Sequence, residues 1–459
     1  MSPMRAVIAS GNAAIWILAA IVLLAGCDKG ENKQARQEPA VGKSRLDEII
    51  ERLRSDDADA RNRAVARLKR IASKGLTQEE DSQALRAAAE AWPADKDIDP
   101  SGELVEAALG RPRQGHAQLI CEYFPRFSEM ARWRSTRYLV ETCDEAAARA
   151  YLGLVERHAD LVPPVGIDGF TQSPEITRWL IPSLLKHAAR NELGYQVHSL
   201  SLRAAQLELV TESDLAPFAG SVVQMCNPLL SRMRTMEKPV GDDWIWSDDY
   251  CDDRAHATLL LDLMGYLPRE ATVATLVEAQ KSRDPRVRHF AALSLIRHGQ
   301  DVSADMFESV AASPEVRNLL YVGLASLKRL DLFPSRFASQ QAFAEADMVN
   351  WLTYPTELGR TPHEIELMAT FDGDSGQQRY YLFRFRTHAP HWAAEDGWMA
   401  GLSGPFDVAS MPTTEGGDST FSDFTKWDEK TPKDHFEAIS GLIAEYWKKQ
   451  AADMTQKEK

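Results

Sequence analysis

The sequence has little cysteine, five residues in 459, and no surplus of positive charge: 53 Lys and Arg face 67 Asp and Glu, a formal charge of -14. Without a basic stripe to release counterions from phosphates, the chain is not expected to bind DNA or RNA. Phosphate loops and dinucleotide fingerprints are absent, so no motif calls for a nucleotide or any other cofactor. The longest apolar run, Ala13 to Ala25, is shorter than the ~20 residues a membrane-spanning helix needs. What is there is an ordinary globular composition, 44% hydrophobic, in a chain long enough for two or three domains.

The apolar run follows a short segment with one basic side chain, Arg5, and leads into small residues where a peptidase would cut. It reads as a secretory signal. An uncleaved anchor is the alternative, because Ala6 to Gly26 carries no charge. The residues Leu24, Ala25, Gly26 and Cys27 resemble the lipobox of bacterial lipoproteins. That resemblance implies alkylation of the Cys27 thiol with a diacylglyceryl group, cleavage before it, and acylation of the new amine. Several acyl chains on one residue satisfy the need for more than one chain in stable anchoring. The implied location is a bacterial cell membrane, facing the periplasm or exterior, with Asp28 favouring the inner membrane in a Gram-negative source. Behind the signal at 1-26, the stretch 27-43 has only Val41 as a sizeable apolar side chain and is expected to be a disordered tether.

An exported chain meets an oxidising compartment. The other four cysteines, Cys121, Cys143, Cys226 and Cys251, are therefore expected to form at least one disulfide, with three connectivities open. Pairing near neighbours, 121 with 143 and 226 with 251, is the simplest, each loop contributing roughly 3 kcal/mol in the chain-entropy model. The alternative is four buried reduced thiols acting as small hydrophobes.

Three stretches share a pattern, beginning at Ser173, Asp284 and Ser313. Each opens on a residue able to cap a helix and continues with Pro174, Pro285 or Pro314 at the first helical position. Apolar residues then recur at helical spacing: Ile176, Trp179, Leu180 and Leu184; Val287, Phe290, Ala291 and Leu295; Val316, Leu319, Leu320 and Leu324. Ser183, Ser294 and Gly323 place a small residue at one register in the three seams, where a neighbouring helix can approach closely. A weaker copy starts at Asp57, with Ala60, Ala64 and Leu68 in phase and Arg63 out of it. The pattern resembles HEAT or armadillo-type repeats, most clearly over His256 to Asp331, and implies an α-solenoid of HEAT-like helix pairs over 44-343. An irregular helical bundle is the alternative. A solenoid leaves an extended curved face that commonly binds a partner.

One segment interrupts the helices, Asn227 to Arg254, bounded by Cys226 and Cys251. It mixes Trp244, Trp246 and Tyr250 with Asp242, Asp243, Asp248, Asp249, Asp252 and Asp253. The spacing lacks the glycine and terminal glutamate of a helix-loop-helix calcium site. Its aspartates suit the start of a helix near Asp252. Its aromatics either fold back onto the solenoid or serve as partner-binding hot spots.

Beyond 343 the periodicity becomes that of strands. Glu364 to Phe371, Arg379 to Thr387 and Gly397 to Phe406 alternate in β fashion, with Ile365, Leu367 and Phe371 expected to face one way in the first strand and Tyr381, Phe383 and Phe385 to face one way in the second. A helix follows from Thr431, with Phe436, Ile439, Ile443, Tyr446 and Trp447 on one side. The region 344-459 is thus expected to be a small α+β domain with an antiparallel sheet and a docking helix. His388 and His391 have a spacing seen in metal sites, with His363, Asp372 and Asp374 as companions, but Pro390 disfavours a helix there, so they are weak candidates. Ser403 lacks the second spaced glycine of a nucleophile elbow.

These readings converge on a mainly α, membrane-tethered cell-envelope protein whose solenoid binds a protein partner, one specialised form being an immunity-type lipoprotein. The alternative is an envelope enzyme, such as a metal-dependent hydrolase, with a site between solenoid and C-terminal domain involving His363, His388 or His391.

Overall fold

The computed structural model describes residues 44–92, 97–188, 191–238, 241, 243–373, 376–387, 397–410, 412–414, 420–427 and 430–457. The signal, Cys27 and the tether lie outside the described residues, as do Asp242, Asp374, His388 and His391.

The chain is mainly helical, with one four-stranded antiparallel sheet near its C-terminus. Helices α1 (Arg45–Leu53), α2 (Ala58–Lys74), α3 (Gln78–Ala88), α4 (Pro100–Ala108), α5 (His116–Tyr123) and α6 (Glu129–Thr142) come first. Next are α7 (Glu145–His158), α8 (Pro174–Leu185), α9 (Asn191–Gln206), α10 (Glu212–Leu215), α11 (Ala219–Met236) and α12 (Asp248–Met264). The array closes with α13 (Arg269–Ala279), α14 (Pro285–Arg297), α15 (Ala304–Ala311), α16 (Pro314–Ser326) and α17 (Gln340–Leu352). No helix among the described residues is long and apolar enough to cross a membrane.

The repeat signature maps onto α8, α14 and α16, each with proline at its start. Only Asp284 caps as expected, its carboxylate accepting from the Arg286 amide at 2.7 Å. The Ser173 and Ser313 side chains make no cap bond. The seams are buried except for Trp179 and Phe290, which are half-buried, and Leu319, which stays 37% exposed. Two of the three small residues act as expected where helices meet, while Ser183 bonds within its own helix, to the Trp179 carbonyl at 3.2 Å. Ser294 donates to the Leu261 carbonyl of α12 at 2.7 Å, and a methyl group on Gly323 would lie 2.4 Å from Leu293 Cδ1 of α14.

The sheet runs β1 (Glu364–Asp372), β2 (Gln378–Arg386), β3 (Met399–Asp407) and β4 (Thr420–Lys426), neighbours in chain order pairing antiparallel. Its last helix, α18 (Pro432–Lys457), starts on a reciprocal Thr431/Asp434 cap. Strand β4 has no counterpart in the sequence reading. The expected common face of Ile365, Leu367 and Phe371 is also corrected. A bulge between Leu367 and Ala369 shifts the register, so Ile365 and Leu367 pack with Tyr381, Phe383 and Phe385 while Phe371 turns to the opposite layer. There it stacks on Phe436 of α18 at 4.2 Å.

Helix α17 belongs to both layers. Phe343 completes the core formed by α14, α15 and α16, whereas Ala344, Met348 and Leu352 lie under the sheet. Gln340, at its start, donates to the Asp407 and Thr413 carbonyls and accepts from the Tyr381 hydroxyl. The array and the sheet are therefore joined through a shared helix.

Candidate binding site at the junction of helices and sheet

The segment between α11 and α12 ends in a short 3-10 turn, Asp243–Trp246. Helix α12 starts at Asp248, one turn before the expected start near Asp252, with Asp248 and Asp249 in its first turn. The carboxylates there complement the positive end of the helix dipole. Trp244 is buried, its Nε1 donating to the Gly241 carbonyl at 3.0 Å, and its ring meets the fully buried Tyr250 edge-on at 4.8 Å. Trp246 is half-buried, with the Arg254 guanidinium 5.0 Å from its ring centre. This stacking is of the cation–π type and holds the indole against α12.

Arg254 occupies the stripe of α12 that also carries Ala257, Thr258 and Leu261, all buried. Its Nη1 lies 3.5 Å from Glu315 Oε1 and 3.8 Å from Asp284 Oδ2. Arg286 Nε approaches the same Glu315 oxygen at 2.7 Å. Two arginines and two carboxylates thus neutralise one another where the starts of α14 and α16 meet α12. Burial opposes the Arg254 charge, but Asp284 and Glu315 outweigh it and hold the guanidinium above its usual value. Burial, with the Asp284 carboxylate alongside, pushes the Tyr250 phenol up.

Above this cluster opens a cavity of about 350 Å³. Trp244, Ile245 and Trp246 form one wall, and the starts of α14 and α16, at Pro285 and Pro314 with Arg283 and Glu315, form another. The C-terminal region supplies the rest: Val349 of α17, and Thr361, Pro362, His363 and Ile365 at the entrance to β1. Asp243 fastens the two regions, meeting Arg360 at 2.8 Å and His363 Nε2 at 3.5 Å. His363 Nδ1 also lies 3.4 Å from the Thr387 hydroxyl. The lining mixes aromatic, proline and aliphatic surface with a few convergent polar groups, the usual make-up of a ligand pocket.

The structure brings Trp244, Trp246 and His363 to one site, and places Tyr250 beneath it as support. Asp372 instead pairs with Arg379 across the hairpin at 2.8 Å, and Asp253 with Arg232 at 2.6 Å. Ser403 is fully buried and donates to the Ala344 carbonyl at 3.1 Å, a structural role. Among the described residues no group of three or more His, Cys, Asp or Glu is placed to hold a metal ion.

The expected disulfides are not formed: Cys121, Cys143, Cys226 and Cys251 are free thiols. Each faces its own surroundings. Cys121 Sγ is turned to the Ala150 carbonyl at 3.7 Å and Cys251 Sγ to that of Ile245 at 3.3 Å. Cys226 is sealed inside the array and Cys143 ends α6 in a left-handed conformation, φ 47°. Burial raises all four thiols, Cys226 to about 12, so they behave as small hydrophobes.

The sequence reading missed Arg254, Arg283 and Glu315, and took Asp284 only as a cap. A signal for Arg254 was present: an arginine at the helical spacing of buried apolar neighbours needs a buried partner. No family model, no curated protein and no solved structure matches the chain.

Proposed function

We propose that the protein is a cell-envelope binder, tethered through lipid on Cys27, that holds a protein partner at the junction between helical array and sheet. The observation that carries this reading is the cavity of about 350 Å³ in which Trp244 and Trp246 from the array meet His363 and Ile365 from the sheet region. Tryptophan in a semi-enclosed pocket is a common anchor of protein interfaces, and a helical array supplies the extended scaffold that such binding uses. An acidic chain, at -14, suits a partner with basic surface.

Two experiments test the reading. Intact mass of the mature protein reports whether Cys27 carries acyl chains; an unmodified Cys27 removes the tether. In-cell crosslinking from a photoreactive residue at position 246 is expected to trap one predominant protein, and Trp244→Ala to weaken that capture. Uniform labelling of abundant envelope proteins, unaffected by Trp244→Ala, overturns the binding reading. A second reading, an envelope enzyme, draws on His363, which lines the cavity beside Asp243. Stoichiometric metal in the purified protein, lost in a His363→Ala variant, would favour it.

A further inference from the structure

We infer that the partner engages this site as an extended, basic segment that adds to the edge of the sheet at β1, unpaired among the described strands, and inserts one side chain into the junction cavity. The inference deepens the binding reading above and rests on it. Strand β1 is the outer strand in the order β1-β2-β3-β4, and none of its nine residues is buried, whereas β2 and β3 have buried centres. Alternate residues of an outer strand point N–H and C=O groups away from the sheet, a template for another strand. Natural sheets blunt such edges with charges and bulges. Here the bulge comes after Leu367, and Phe371 beyond it is covered by Phe436 of α18. The regular, less covered part is Glu364 to Leu367.

That part begins at the cavity. Ile365 is itself a lining residue, and a neighbour added beside it on the same face would sit about 5 Å away. Its side chain would enter the space bounded by Trp246, Pro314 and Val349. The opposite face carries Glu364 and Glu366, 44% and 46% exposed, backed by Arg386 and Arg384 on β2. Both guanidiniums stack on Trp398, at 4.9 and 4.3 Å from its ring centre. The glutamates are thereby fixed along the edge, and an incoming strand meets carboxylates at alternate positions. The complement is a segment with basic residues two apart and an apolar or aromatic residue between them. A second copy of this chain does not fit, since a β1 to β1 pairing brings acidic strands together, which is unfavourable.

The test uses the full-length protein in detergent and two short synthetic peptides, one alternating Lys with Ile around a central Trp, the other with every Lys replaced by Glu. Isothermal titration is expected to show binding of the basic peptide alone. Hydrogen exchange is expected to show slowed amides at 364–367. Glu364→Lys with Glu366→Lys is expected to weaken binding about tenfold, and the milder Glu364→Gln with Glu366→Gln, which serves if the reversed variant fails to fold, about threefold. Equal binding of both peptides, no binding, no protection in β1, unchanged affinity in the folded variants, or the same protection arising from self-association overturns the inference. If crosslinking at position 246 still traps its partner while β1 gains no protection, only the strand-addition inference falls. Loss of capture removes the binding reading itself.

Discussion

Arg254 carries a charge on a helix stripe otherwise given to apolar side chains, and it persists because Glu315 and Asp284 meet it without solvent. Removing one member of such a cluster leaves its counter-charges buried and uncompensated. Arg254→Ala should lower stability by about 3 kcal/mol, seen as a reduced urea midpoint with an unchanged slope. Asp347 shows the opposite relation between burial and charge. Its carboxyl accepts from Asn318 Nδ2 at 2.6 Å, yet burial raises its pKa from 3.8 to about 6. Between those values the native state holds a proton that the unfolded chain releases. The associated stability is full below 3.8 and is lost as pH rises through about 6. Asp347→Asn should therefore stabilise the protein by about 2 kcal/mol at pH 7.5 and by almost nothing at pH 3.5, measured by urea unfolding at the two pH values.

At the scale of elements, the close approach of α14 and α16 depends on a missing side chain. Gly323→Val places methyl groups against Leu293, itself only 3% exposed, and should cost about 1–3 kcal/mol, read as a lower thermal midpoint. The helices were the most legible part of the sequence. Proline at the first helical position and apolar residues at helical spacing are local signals, and α8, α14 and α16 carry both. Strand β4 was illegible for a local reason. Its sequence, TFSDFTK, interleaves few apolar residues with polar ones and follows a long polar stretch, so only its pairing with β3 makes it a strand. The bulge in β1 was hidden in the same way, because alternation on the chain gives no sign of where a register slips. The site was half legible. Trp244, Trp246 and His363 stood out by residue type, but nothing local links residues more than a hundred positions apart, and the cysteine reading assumed pairing where each thiol sits in its own separate surroundings.

Across the whole molecule, burial of histidine sets the response to acid. His198 and His289 are buried with pKa values lowered from 6.5 to about 3, chiefly by desolvation, and Nδ1 of each has no hydrogen-bond partner among the described residues. His116 and His256 are lowered by burial as well. A depressed pKa gives stability that is present above 6.5 and is lost as pH falls toward about 3. At pH 5 the cost is roughly 2 kcal/mol for each fully protected histidine. Circular dichroism against pH should show a steep acid transition below neutrality. His198→Gln combined with His289→Leu should move its midpoint to lower pH. The gain from Asp347 on acidification is smaller and cannot offset two buried imidazoles.

The sharing of α17 between two cores also orders events while the chain is being made. One side of the helix, at Phe343, is buried as soon as α15 and α16 have folded, but the side bearing Ala344, Met348 and Leu352 waits for β2 and β3. Until those strands have been synthesised, a finished array ends in an apolar strip with nothing to cover it. A chain stopped after Leu352 would keep that strip permanently, so premature termination there should give a folded but sticky product, recovered in aggregates or bound to holding chaperones.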